Sequence, residues 1–152
     1  MNNTNTTYEQ LALSFFNKIK DHMFVEMDEK TAIDIAISYI SPACTNFESC
    51  NQDLDDRDDV MREFNFQLSN SNYNILVNYM CIEYLDSNYL RTGMALKSRL
   101  SSSDFHALQL SNMLGKAMEL HNTLKSENDQ LAINKSYKDS KLFDLVANRK
   151  KV

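Results

Sequence analysis

Two glycines, Gly93 and Gly115, and one proline, Pro42, are the only residues of these types in 152. Sheets joined by tight hairpins need residues at positive φ, and glycine supplies most of them. Helical bundles have no such need, because Asn, Asp and Ser cap helices and build short loops. A chain rich in those three residues and nearly without glycine is therefore expected to be all-α. The expectation is a single-domain helical bundle of six to seven helices with a long C-terminal helix.

Hydrophobic periodicity places the helices. Thr6 and Glu9 have capping-box spacing, and Tyr8, Leu11, Phe15 and Ile19 follow on one face. Asp28 opens a second helix through Ile33, Ala36, Ile37 and Ile40. It should end there, because Pro42 disfavours helical geometry at Ser41. Cys44 to Gln52 reads as a loop, and Asp53 to Asp59 as the capped start of a helix through Val60, Met61, Phe64 and Leu68. Ser69 to Asn72 interrupts that helix. Ile75 to Leu85 is apolar nearly all round, as a central buried helix would be. Asp86-Ser87-Asn88 predicts a turn and Tyr89 to Leu100 a short helix. The core is expected to contain Phe15, Ile37, Phe64, Leu76, Met80 and Leu114.

In the last helix Leu110, Ala117, Leu124 and Leu131 recur every seven residues, with Met113 and Leu120 between them. That is a coiled-coil-like seam, broken where Glu127 takes the next position. The part through Leu120 is expected to pack on the domain. The part from Leu124 to Ile133 is expected to project and pair with a second copy through Leu124 and Leu131. The chain thus divides into a disordered tail (1–6), a helical domain (7–133) and a basic, partly helical tail (134–152).

Charge narrows the function. The net charge is −5 and the pI about 5.1, so a general grip on nucleic acid is not expected. The distribution is uneven. Glu48 to Glu63 carries seven acids against Arg57 and Arg62, which makes Asp55, Asp56, Asp58 and Asp59 candidate partner-binding residues. The last eighteen residues are basic, so nucleic acid contact, if any, would run through Lys141, Arg149, Lys150 and Lys151.

Three cysteines without a CxxC pair argue against a disulfide framework or a zinc site, and point to reduced thiols in a cytoplasm. His22, His106 and His121 fall in no recognised metal pattern. No run of 18 apolar residues occurs, and residues 1–7 lack a signal-like pattern, so no membrane association is expected. No cofactor motif appears.

Arg99 and His106, with six residues between them across the start of a helix, form the sharpest enzymatic pair. The spacing resembles the Arg-x(4–6)-His signature of HEPN-type ribonucleases, small α-helical bundles in which two such motifs meet across a dimer. The resemblance implies proton transfer by His106 and phosphate binding by Arg99. Leu100 stands where that family often has a polar residue, and the serines at 101–103 suggest a loop where the family has helix. With no nucleophile–base pair or phosphate loop elsewhere, the leading expectation is a small helical interaction protein: an inhibitor, immunity-type factor, chaperone or regulatory adaptor that docks on a protein partner, itself a homodimer. The alternatives are a dimeric HEPN-like ribonuclease and a regulator that touches nucleic acid through its basic tail.

Overall fold

The computed structural model describes residues 4–97, 99 and 105–140, with backbone alone for 105–107. It is all-α, with seven α-helical segments among the described residues and one small two-stranded hairpin. The helices are α1 (Tyr8–Ile19), α2 (His22–Val25), α3 (Glu29–Ser38), α4 (Ile40–Asn46), α5 (Asn70–Leu85), α6 (Thr92–Lys97) and α7 (Phe105–Asp139). Strands β1 (Arg57–Asp58) and β2 (Glu63–Phe64) lie between α4 and α5.

The helix starts are made by side chains. A capping box opens α1: Thr7 Oγ1 accepts from the Gln10 N–H and Gln10 Oε1 from the Thr7 N–H. Asp21, Asp28 and Ser69 cap α2, α3 and α5. The box sits one residue later than expected because Thr6 is engaged elsewhere. Its N–H donates to the Phe66 carbonyl, its carbonyl accepts from the Phe64 N–H, and its Oγ1 accepts from the Leu68 N–H. Thr6 is buried, so the fixed part of the chain begins before residue 7.

Three expected boundaries are corrected. The proline does not end helix at Ile40; α3 stops at Ser38, and α4 then carries Pro42 as its third residue. The first turn of a helix has no internal partner for its N–H groups, so proline is tolerated there, and residues 40–46 are helix where 44–52 reads as loop. Residues 53–68 are not helical. β1 pairs antiparallel with β2, Arg57 opposite Phe64 and Asp58 opposite Glu63, and Thr7 bridges to Glu63 outside. Val60 and Met61, expected on a buried helix face, lie at the hairpin tip, 90 % and 68 % exposed. The spacing misled because positions four apart share a face in a helix and also in a strand. Finally, Asp86-Ser87-Asn88 breaks nothing. A π-helical turn (Asp86–Arg91) joins α5 to α6, and its i,i+5 contacts, Arg91 Nε to Asp86 and Thr92 Oγ1 to the Ser87 carbonyl, match that wider turn.

The core surrounds α5, which packs on α1, α4 and α7. Phe15, Phe64, Leu76 and Met80 are fully buried as expected, whereas Ile37 and Leu114 are only half-buried. Phe15 holds Phe16, Phe24, Tyr39 and Tyr84 around it at ring centroid distances of 5.5–5.9 Å, mostly the edge-on geometry aromatic pairs prefer. Beneath them Asp21 accepts from the hydroxyls of Tyr84 and Tyr89. Among the described residues no helix is long and apolar enough to cross a membrane.

Candidate interaction surface

α7 runs antiparallel to the α5–α6 run. Near one end Asn128 reaches Ile75 and Asn78; near the other Leu114 lies over Gly93, where a Cβ would come within 2.3 Å of Leu114 Cδ2. Glycine at 93 lets the two helices approach there. Neither glycine of this chain is at a turn: among the described residues the positive-φ positions are Lys20 and Arg62.

This packing reverses the expected division of α7. The part from Leu124 onward does not project. Asn128 and Ala132 are its buried residues, and Leu124 packs against the core. Asn128 Nδ2 donates to the Ile75 carbonyl (3.1 Å) and its Oδ1 accepts from Asn78 Nδ2 (3.0 Å); Tyr79 OH donates to Asp129. The inner seam continues through Asn128, not Glu127, and polar side chains occupy it because α5 offers polar partners. The helix itself continues past 133 to Asp139.

The bare half is the other one. From Arg91 to Thr123 no described residue is buried. α6 touches only the π turn and α7 to any extent. The arm they form exposes Met94, Leu96, Leu108, Met113, Met118 and Leu120, each 42–68 % accessible.

Where arm meets body, a cavity of about 360 Å³ opens between Ile19, Ile82 and Leu85 on one side and Leu120, Leu124 and Leu131 on the other. Lys18 and Glu127 stand at its edge. Both seam leucines singled out from sequence line this groove, Leu124 half-buried and Leu131 52 % exposed.

The four acidic candidates lie in and beside the hairpin. Asp58 Oδ1 accepts from the N–H groups of Val60 and Met61, Asp56 from Asn65 Nδ2, and Asp59 from the Tyr8 hydroxyl at 2.6 Å. Burial and the Asp59 carboxylate together push the Tyr8 hydroxyl well above the usual tyrosine range. Asp55 is highly exposed and lies 3.5 Å from Arg57. These acids fold the loop, and that accounts for their density better than a helix start.

Arg99 is an exposed turn residue whose N–H bonds the Leu96 carbonyl. His106 is the second residue of α7, and its side chain lies outside the described part, as do Lys141, Arg149, Lys150 and Lys151. Among the described residues no three His, Cys, Asp or Glu side chains converge as a metal-binding group. The exposed tip Val60–Met61 and the arm residues Met94, Leu96, Leu108 and Met118 were not legible as surface. Met113 and Leu120 were visible in the seam, but on the half expected to be covered.

Compared with known proteins, the chain matches no family model, and no curated protein or solved structure matches it significantly.

Proposed function

We propose that this protein acts by docking to another polypeptide through the α6–α7 arm. The observation that carries the proposal is the stretch from Arg91 to Thr123, in which six large apolar side chains are exposed and no described residue is buried. Two helices alone cannot cover their apolar faces, and exposed apolar patches on folded proteins mark interaction sites. Three of the six are methionines, whose flexible thioethers adapt to a partner surface. An adaptor, inhibitor or chaperone role fits this arrangement, and a covered homodimer is one form of it.

The test is photo-crosslinking in the native host. A photoreactive side chain at Met113 or Leu120 should give a discrete protein adduct, and the same group at exposed Glu9 should give none. Equal labelling from all three positions would overturn the reading.

A further inference from the structure

The apolar line on α7 has a symmetry that bears on what covers it. Met113, Leu120, Leu124 and Leu131 are separated by seven, four and seven residues. At about 100° per residue they fall within about 40° of one another, a single stripe beside the face packed on α5. The spacing reads the same in both directions about Asn122. Along the outer edge of that stripe lie two exposed charges of opposite sign, Lys116 six residues before the midpoint and Glu127 five residues after it.

We infer that the stripe pairs antiparallel with the same stripe of a second copy, the two-fold axis passing near Asn122. This rests on the docking reading above and names its partner. A closed two-fold contact requires a surface complementary to itself under reversal, and the seven-four-seven spacing supplies it. Met113 falls opposite the partner's Leu131, and Leu120 opposite the partner's Leu124. The axis keeps equivalent helix edges on the same side, so Lys116 comes beside the partner's Glu127 at both ends. The contact is about 27 Å long at about 1.5 Å per residue. The second helix would lie along the groove bounded by Ile19, Ile82 and Leu85, the apolar wall that faces Leu120 and Leu131. A foreign helix would need neither the reversal symmetry nor the mirrored charges.

The test uses the full-length purified chain. Sedimentation velocity at about 100 µM should give a dimer. Leu120→Glu/Leu131→Glu, at exposed positions, should raise the dissociation constant about 100-fold or more with the helical circular dichroism unchanged. Register is read by cross-linking in a Cys50→Ser background. Met113→Cys mixed with Leu131→Cys should form the crossed disulfide, and each variant alone should not. Lys116→Glu and Glu127→Lys should each weaken the dimer a few-fold, and the two together should restore it. A monomeric wild type overturns the inference, as does cross-linking of each variant to itself, which would mean a parallel pair. If the chain is monomeric while the photoreactive arm still captures a different protein, this inference fails and the docking reading stands.

Discussion

Asn128 is 2 % exposed on a helix whose seam is otherwise apolar or half-open, and Asn128→Ala measures what holds α7 to the body. The amide makes two hydrogen bonds to α5, one to the Ile75 carbonyl and one from Asn78 Nδ2. A net contribution of about 0.5–1.5 kcal/mol for each gives about 1–3 kcal/mol. The space vacated by the amide places the expected cost in the upper part of that range, about 2–3 kcal/mol. For a chain of this length that lowers Tm by roughly 4–12 °C. The assay is denaturant unfolding followed by circular dichroism, wild type and variant at the same protein concentration, because any self-association would add its own stabilisation. The control is the cycle with Asn78→Ala. If the bond between the two amides exists, the double variant should lose about 1 kcal/mol less than the sum of the singles. A cost below about 0.5 kcal/mol, the range of ordinary surface changes, would refute the packing of α7 described here. Additive single changes would refute the Asn78–Asn128 bond.

Acid stability should depend on Asp21. Hydrogen bonds from Tyr84, Tyr89 and the Met23 N–H hold its carboxyl below the usual range, so its contribution is full above the unfolded carboxylate pKa of about 3.9 and is lost as pH falls through the lower folded value. Asp21→Asn should therefore flatten the stability profile below about pH 4; an unchanged slope would show that the tyrosine hydroxyls do not engage it in solution. Thiol labelling near pH 8 should proceed in a fixed order. Burial pushes Cys44 and Cys81 up to about 11, and Cys50, less buried, should react first with a maleimide; labelling of Cys81 ahead of Cys50 would place α5 wrongly.

The fold class was legible because two glycines among 152 residues, neither available for turns, leave few ways to close a sheet. The central helix was legible too: Leu76 and Met80 lie in a segment apolar on every side, and only the middle of a bundle accepts that. Local spacing determined this much. It did not separate strand from helix at Phe64 and Leu68, since a four-residue step faces one way in both. That choice was made by Thr6, whose backbone and hydroxyl hold Phe64, Phe66 and Leu68 from more than fifty residues away. Nor could the seam of α7 say which half is covered. Leucines at 120 and 131 and an asparagine at 128 suggest that the apolar positions go inward, yet Asn128 is buried and both leucines are half-open. The partners decide this: Asn78 and the Ile75 carbonyl on α5 satisfy a buried amide, and nothing of the chain's described part covers Met113 and Leu120. A sequence records which side chains are apolar, but which of them find neighbours is a property of how distant helices meet.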